Sequence, residues 1–344
     1  MFVRFGIILF VTTFFSVKVF SQGCCSGGSG SPIAGGVSQG VLQEGQIEIA
    51  ANYQYFGSDK FYTGSKDTSS QSVNGLQTHY LYSRFAYGIT TKFTLSIEAG
   101  YFFNKTETSF NSEAPDYKKT SSGFSDLIIF PRYDVYDKTD EKYHTEITLG
   151  MGMKIPVGKY DDKYVTSINP FTGSKNYSIS PPTVQPTTGS NDFIFYGFAL
   201  REFKKAKFKL FANTLYMRKG YNPLGEKFGD YASLGLFANK LFFRKLGVTF
   251  QLKYEWIGQM QTAAGIDAQA LYNVDINSTG SKKLSFVPQV NYNFKSFTVY
   301  GLYDQPLYQY LNGFQIGSQY LVTLGISYRF MPGKSLWKSI KKES

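Results

Sequence analysis

The sequence predicts an all-β protein, a transmembrane antiparallel up-and-down β-barrel of about twelve strands. Three observations predict it. Segments of about ten residues alternate apolar and polar side chains, as strands that cross a membrane do. Their polar faces carry charges in mid-strand, which a dry core between two packed sheets would exclude. The connections alternate between short and long, a layout typical of the bacterial outer membrane.

The first element is a targeting segment. Met1 to Arg4 is short and basic, and residues 5–15 are almost wholly apolar. Residues 19–21 place modest side chains where a signal peptidase cleaves, so residues 1–21 are predicted to be a signal peptide and Gln22 the first mature residue. A transmembrane anchor is the alternative, but the apolar stretch is short and Lys18 interrupts it.

A Gly/Ser-rich leader follows at residues 22–44, which we expect to be flexible and able to plug the pore. It holds the only two cysteines, Cys24 and Cys25, which cannot staple the fold. Lipid attachment is one alternative role, although the residues before Cys24 lack the usual leucine. Binding of a soft metal is another, but no neighbouring His or further Cys completes a site.

The barrel is predicted over residues 45–330. Alternation is clearest in Tyr320–Phe330, where Val322 and Leu324 share one face and Thr323 and Gly325 the other. Four predicted strands, the sixth, seventh, eighth and eleventh, alternate poorly, so ten or fourteen strands are alternatives. The twelve predicted strands are 45–56, 77–89, 91–103, 122–136, 143–155, 190–202, 205–217, 228–240, 245–258, 283–294, 296–307 and 318–330.

The lengths of the connections predict which end of the barrel faces which side of the membrane. Short gaps follow every even-numbered predicted strand up to the tenth, whereas most other gaps are long, notably 56–76, 104–121, 156–189 and 259–282. Both termini then lie at the short-turn end, which we expect to face the periplasm. The segment 156–189 is too long for an idle hairpin loop and is predicted to fold inward or over the pore. Residues 331–344 form a basic tail.

Charge and chemistry exclude several functions. Removing residues 1–21 takes away Arg4 and Lys18 and lowers the net charge of +11 by two. The charges are scattered, so nucleic-acid binding is not expected. The two histidines, His79 and His144, have no candidate ligand or serine partner nearby in sequence. We therefore expect strand-end roles for them, no enzyme activity, no metal and no cofactor.

The mid-strand charges are the candidate functional residues. If the apolar faces contact lipid, these side chains line the lumen and set its selectivity. The alternative is that they pair with one another and fill the interior. Because twelve strands lie between filled eight-stranded and open sixteen-stranded barrels, we expect a narrow conduit rather than a general porin. The sequence leaves open whether it is plugged, with the leader and the segment 156–189 as the plug candidates. The residues are Arg84, Glu98, Asp126, Arg132, Glu146, Lys154, Asp192, Lys253, Glu255 and Arg329.

Four motifs between residues 123 and 257 resemble the outer-membrane proteins of the MetA-pathway of phenol degradation family. They are Gly123–Asp126, Gly150–Gly158, Pro181–Asp192 and Phe228–Asp230. The third is the most specific, although Asn191 stands where that family carries tryptophan. Separately, Thr323–Phe330 looks like the signal that barrel-assembly machinery reads, except that it does not end the chain.

The resemblance implies a transporter-like barrel, distantly similar to fatty-acid and toluene channels. We therefore expect a passive outer-membrane channel for small molecules, hydrophobic or aromatic ones included. A non-conducting barrel that serves as a structural or partner-binding platform is the alternative. The expected partners are outer-membrane lipid, the assembly machinery and a small-molecule substrate; the sequence leaves the oligomeric state open.

Overall fold

A computed structural model describes residues 40–69, 73–109, 117–272 and 274–332. The predicted signal peptide, Cys24, Cys25, most of the leader and nearly all of the tail lie outside the described residues. Twelve long strands form the body of the protein. In chain order they are β1 Ile47–Ser58, β2 Val73–Thr90, β3 Phe93–Ser109, β4 Tyr117–Thr139, β5 Tyr143–Pro156, β6 Asp192–Phe203, β7 Phe208–Arg218, β8 Tyr231–Phe242, β9 Leu246–Ile257, β10 Ser281–Phe294, β11 Phe297–Ile316 and β12 Tyr320–Phe330.

The sheet closes on itself. Each strand pairs antiparallel with its neighbour in the chain, and β10 pairs with β11. The first and last strands pair along their whole length, from Ile47 opposite Phe330 to Gly57 opposite Tyr320. A closed sheet satisfies every strand edge, which a strand in hydrocarbon needs. The predicted fold class and the count of twelve are confirmed, and the alternatives of ten or fourteen are wrong.

Alternation places apolar side chains on the outside. Ile49, Met151 and Leu324 point outward and are 50%, 62% and 61% exposed. Their neighbours along the strands, such as Glu48 and Thr323, are buried on the inner face. Because successive side chains of a strand point to opposite sides, the barrel presents an apolar band outward and its polar groups inward.

Four strands run further than the apolar alternation indicates: β2, β3, β4 and β11. The predicted loop 104–121 was wrong for most of its length, since β3 continues to Ser109 and β4 begins at Tyr117. In these extensions Glu107 lies opposite Lys119, and the Thr106 and Thr120 hydroxyls hydrogen-bond at 2.9 Å. A strand segment that leaves the membrane needs no apolar face, so the alternation that predicts a strand ends before the strand does.

The long connections lie together at one end and carry short elements. A hairpin of Lys163–Ile168 and Lys175–Ile179 rises from the β5–β6 connection. Phe61–Gly64 adds to the sheet beside β11, with Lys66–Thr68 next to it. In the described part of the chain, no helix has the length and apolarity that a membrane crossing requires.

Four further short elements complete this end. Glu226–Lys227 pairs with Gln261–Thr262, joining the β7–β8 connection to the β9–β10 connection. The latter also holds helix α1, Ala268–Tyr272, and a 3-10 turn at Ile276–Ser278. A small apolar cluster secures it: Phe228, Met260, Ala268 and Val274.

Candidate functional site

The first group of lumen charges lies toward the short-turn end. Glu48 on β1 is fully buried and accepts hydrogen bonds from the guanidinium groups of Arg84 and Arg329. Glu98 on β3 accepts from the Tyr82 hydroxyl and, at 3.1 Å, from the Ser96 hydroxyl. Buried charges persist where they are paired and hydrogen-bonded, and this group meets that condition.

Arg132 on β4 belongs to the same wall. It is buried, and its guanidinium lies 5.8 Å from the ring centroid of Phe130. Glu146 on β5 accepts a hydrogen bond of 3.0 Å from the Thr148 hydroxyl, which also donates to Asp134. The inner wall from β12 through β1 to β5 is therefore polar toward the short-turn end.

Two further ion-pair groups lie toward the long-loop end. Lys154 lies between Asp126 at 3.1 Å and Asp192 at 3.0 Å, and Lys219 lies 3.4 Å from Asp192. Each Asp192 contact joins β6 to a neighbouring element. The buried Asp192 carboxylate thus links β5 to the start of the β7–β8 connection.

The second of these groups lies four strands further round the barrel, on β9 to β11. Glu255 on β9 lies 3.2 Å from Lys253 and 2.9 Å from Lys283, and accepts a hydrogen bond of 2.7 Å from the Tyr231 hydroxyl. Lys253 also pairs with Asp304 on β11. Charges on β9, β10 and β11 are thereby cross-linked through the Glu255 carboxylate and the Lys253 ammonium group, and the Tyr231 hydroxyl joins β8 to them.

All ten sequence-predicted charges lie on the inner side, distributed among these groups. Sequence reasoning missed their partners Glu48, Asp304, Lys219 and Lys283. Glu48 carried the same signal as the others, since it alternates with Ile47 and Ile49. Lys219 and Lys283 lie at or beside strand ends, where the alternation of apolar and polar residues does not indicate which side chains face the lumen. The role of the ten residues in selectivity stays a prediction.

One sector of the inner wall is apolar, which the sequence analysis did not predict. Ile194, Tyr196 and Phe198 on β6 are buried and point inward, as do Leu215 and Met217 on β7. The whole cluster is Ile128, Phe130, Ile194, Tyr196, Phe198, Leu215, Met217, Tyr231 and Ile257, with Leu200 and Phe211 packed against it. We call it the apolar wall. Poor alternation in strands 6 to 8 was its signal, because both faces of those strands are apolar.

The β5–β6 connection crosses the mouth at the long-loop end. Its last part, residues 180–190, is almost entirely buried, and we call it the inward segment. Val184 is fully buried against Phe56 on β1, Leu76 on β2 and Ile316 at the end of β11. Because those strands lie across the ring from β5 and β6, the inward segment spans the opening. Its geometry agrees with the prediction that this connection folds inward.

Hydrogen bonds hold the inward segment to the inner wall. Lys105 donates to the Gln185 carbonyl at 3.0 Å, and the Thr183 hydroxyl donates to Glu107 at 2.9 Å. Two strands further round, on β5, Lys154 donates to the Thr188 hydroxyl at 2.9 Å. The Gln185 amide also donates within the loop, to the Ser180 carbonyl. These hydrogen bonds therefore anchor the segment to β3 and β5.

The end of the leader lies in the other mouth. Leu42 is 3% exposed, and its N–H donates to the hydroxyl of Thr94, an inward residue of β3, at 2.7 Å. Gly40 lies directly against the Glu146 carboxylate, so that a Cβ at this position would displace the Glu146 side chain. Residues 40–46 thus run from β1 toward β5 inside the short-turn rim, and we call them the strap.

Neither histidine lies in a catalytic arrangement. His79 contacts the Tyr53 hydroxyl on the exterior. His144 lies at the short-turn rim, with Nε2 3.0 Å from Asp137 and Nδ1 3.8 Å from Glu202. Among the residues that the structure describes, no group of three or more His, Cys, Asp or Glu side chains could hold a metal ion.

Comparison with protein families agrees with the motifs. Residues 58–193 match the model of a family described as "Putative MetA-pathway of phenol degradation". Three of the four resembling motifs, from Gly123–Asp126 to Pro181–Asp192, lie inside this range, and Phe228–Asp230 lies outside it. A search of curated proteins gave no match.

Solved structures agree with the fold. The COG4313 outer membrane channel from Pseudomonas putida F1 aligns with a TM-score of 0.61 at 13% identity, over 86% of this chain and 99% of that one. KdgM porin gives a TM-score of 0.39 at 9% identity, covering 82% of this chain and 99% of its own. A Pseudomonas aeruginosa FadL homologue gives 0.38 at 8%, covering 83% and 90%. The last two lie below the range in which a fold is shared. The predicted resemblance is therefore confirmed: residues 58–193 match the phenol-degradation family, and the chain has the fold of an outer-membrane β-barrel.

Proposed function

We propose that this protein is a passive outer-membrane channel for small apolar or aromatic molecules. The apolar wall is the observation that carries the proposal. A barrel filled only for stability could use any inward side chains, but this one gathers Phe130, Ile194, Tyr196 and Phe198 on one side of its lumen. The name of the matching family, which refers to phenol degradation, supports an aromatic substrate.

The opposite wall supports the same class of solute. Strands β12, β1 and β2 lie across the ring from β6, β7 and β8, and they carry the paired charges of Glu48, Arg84 and Arg329. A small aromatic molecule with one polar group would have an apolar surface on one side and hydrogen-bonding groups on the other. Sites for small molecules commonly combine these two features.

Passage requires both mouths to open. The inward segment covers the long-loop mouth, and the strap lies in the short-turn mouth. Loops that cover a binding route are drawn from the less stable parts of a protein, so we infer that these two segments move while the barrel stays fixed.

The non-conducting platform is the second candidate, favoured by the same covered mouths and the dense ion pairing of the lumen. The test uses the mature protein in liposomes, with entry of phenol compared with that of a neutral sugar. The channel proposal expects phenol to enter faster, and expects Phe198→Asn, which makes the apolar wall polar, to lower the phenol-to-sugar ratio.

Phe195→Asn is the matched control, because Phe195 lies on the same strand but faces outward and is 44% exposed. It should leave the ratio unchanged. If neither the wild type nor a variant with a released inward segment admits phenol or sugar faster than protein-free liposomes do, the channel proposal is wrong. That result would favour the non-conducting platform.

We further propose that the termini face the periplasm and that the assembly machinery inserts the chain through the Thr323–Phe330 signal. The position of Phe330 supports this, since it ends β12 beside the first residue of β1, where the barrel closes. Protease treatment of intact cells carrying a C-terminal tag tests the orientation. Loss of the tag from intact cells would show that the C-terminus faces the outside of the cell, which contradicts the proposed orientation.

A further inference from the structure

Three neighbouring short turns share an unusual composition. They are Phe203–Phe208 between β6 and β7, Phe242–Leu246 between β8 and β9, and Phe294–Phe297 between β10 and β11. Together they carry six cations and no carboxylate: Lys204, Lys205, Lys207, Arg244, Lys245 and Lys295. We call these three turns the basic rim.

The basic rim is one continuous surface. The Leu241 N–H donates to the Lys207 carbonyl at 3.2 Å, joining the first turn to the strand of the second. The Asn293 N–H donates to the Lys245 carbonyl at 2.8 Å, joining the second to the third. Lys240 adds a side-chain hydrogen bond of 2.8 Å to the Ala206 carbonyl. The backbones of the three turns are therefore tied together, which holds the six cations at one rim.

Phenylalanines lie beside the cations on the lipid-facing side. Phe242, Phe294 and Phe297 end their strands pointing outward and are 42%, 55% and 42% exposed. Phe243, at the tip of its turn, is 89% exposed. An aromatic ring of this kind with Lys and Arg just beyond it matches the boundary between hydrocarbon and headgroups.

The backbone conformation of these turns does not account for the residues found there. Phe243 and Arg244 have φ values of 49° and 59°, and Lys207 and Lys295 have 49° and 53°. Tight hairpins with positive φ strongly favour Asn or Gly, because other residues there carry a conformational penalty. A basic or aromatic side chain occupies each such position, so geometry alone does not explain the choice.

We propose that the basic rim binds the phosphate groups of anionic phospholipids, such as phosphatidylglycerol or cardiolipin, in the leaflet that the short turns face. The phenylalanines enter the acyl boundary and the cations contact the phosphates. Charge complementarity with an anionic surface supports this, since each Lys or Arg near such a surface adds to binding. The proposal rests on the barrel spanning a membrane and not on transport, so a failed conductance test leaves it standing.

The other parts of the barrel lack this combination. The β4–β5 turn has one lysine, Lys142, but also Asp140 and Glu141. Hydrogen bonds from the backbone N–H groups of Tyr143 and Lys142 hold the pKa of Asp140 below its usual value, so this turn keeps its negative charge at neutral pH. Long-loop cations such as Lys66, Lys163 and Lys175 are exposed and lie at the opposite end of the barrel, so they serve as controls.

The test measures which lipids the full-length mature protein retains. The protein is reconstituted into nanodiscs of phosphatidylcholine with a minor fraction of phosphatidylglycerol, and the lipids that stay bound on release are counted by native mass spectrometry. The variant carries Lys207→Asn, Arg244→Asn and Lys295→Asn. Asparagine suits positive φ, so the thermal unfolding midpoint should hold or rise while binding falls.

We expect the wild type to enrich phosphatidylglycerol over phosphatidylcholine by about fivefold or more, and the triple variant to bring the ratio close to one. The control variant Lys66→Asn, Lys163→Asn and Lys175→Asn removes the same charge and should keep the enrichment. Equal losses in both variants would reduce the effect to net charge and overturn the proposal. Absence of enrichment in the wild type would also overturn it.

Discussion

The Lys105 ammonium donates a hydrogen bond to the Gln185 carbonyl at 3.0 Å, joining β3 to the inward segment. Two positions along the strand, Glu107 accepts from the Thr183 hydroxyl at 2.9 Å and pairs with Lys119 at 3.3 Å. A charged strand extension therefore holds the loop that covers the mouth. Since Val184 packs deep in the same mouth, these hydrogen bonds and that apolar contact together keep it closed.

Releasing this contact should open the channel. We expect Lys105→Met to raise the fraction of open time in planar bilayers about tenfold, because a hydrogen bond from a charged donor contributes about 1.5–3 kcal/mol. Lys118→Met is the control, since Lys118 lies on the neighbouring strand and is exposed. Equal conductance of the Lys105 variant and the wild type, with the loop still protected from protease, would show that the Lys105–Gln185 hydrogen bond does not keep the inward segment closed.

The strap should act at the other mouth. Leu42→Asp places a charge in a site that is 3% exposed, so the strap should leave the lumen. Single-channel current should then rise, because the strap no longer narrows the short-turn mouth. Gln43→Asp, at an exposed neighbouring position, is the control. An unchanged current in the Leu42 variant would restrict the constriction to the long-loop mouth.

The Glu48 carboxylate should be worth more to stability than any other single charge near the strand closure. It neutralises Arg84 and Arg329 at the seam between β12, β1 and β2. Removing one partner of a buried ion pair costs about 3–5 kcal/mol, so Glu48→Ala should lower the free energy of unfolding by about that amount. Urea unfolding in lipid vesicles measures it.

Glu44→Ala is the matched control for that measurement, because Glu44 is exposed just before the same strand. It should change the free energy of unfolding little. A Glu48 variant as stable as the Glu44 variant would mean that lumen water solvates the two arginines adequately without the carboxylate.

The sequence predicted the exterior better than the interior. Val248 to Trp256 alternates clearly because lipid demands an apolar residue at every outward position, and β9 follows that pattern. The lumen imposes no such rule: Ile194 and Tyr196 are as acceptable inside as Lys154, so the apolar wall left only the weak signal of lost alternation. Contacts such as that between Lys105 and Gln185 join residues far apart in the chain, and a single sequence does not reveal them.

Glu226 in the β7–β8 connection should make stability depend on pH. Its carboxylate accepts a hydrogen bond of 3.1 Å from the Asn222 amide, which favours the charged form, but burial outweighs this and raises the pKa of Glu226 above its usual value. The folded state therefore binds this proton more readily than the unfolded state does. The stabilising contribution of Glu226 is therefore fully present below its unfolded-state pKa. It is lost as the pH rises through the higher pKa of the folded state.

Glu226→Gln removes the titrating carboxyl group, and with it the loss of stability at higher pH. The glutamine amide oxygen can still accept a hydrogen bond from Asn222. The variant should unfold at a higher temperature than the wild type at pH 7 to 8, and the two should converge at a pH below the ordinary pKa of a glutamate, about 4.3. Heat-modified gel migration in detergent across this range measures both. Asp267→Asn, in the neighbouring connection, is the control. A difference between Glu226→Gln and wild type that persists unchanged at low pH would assign the gain to packing and not to the buried charge.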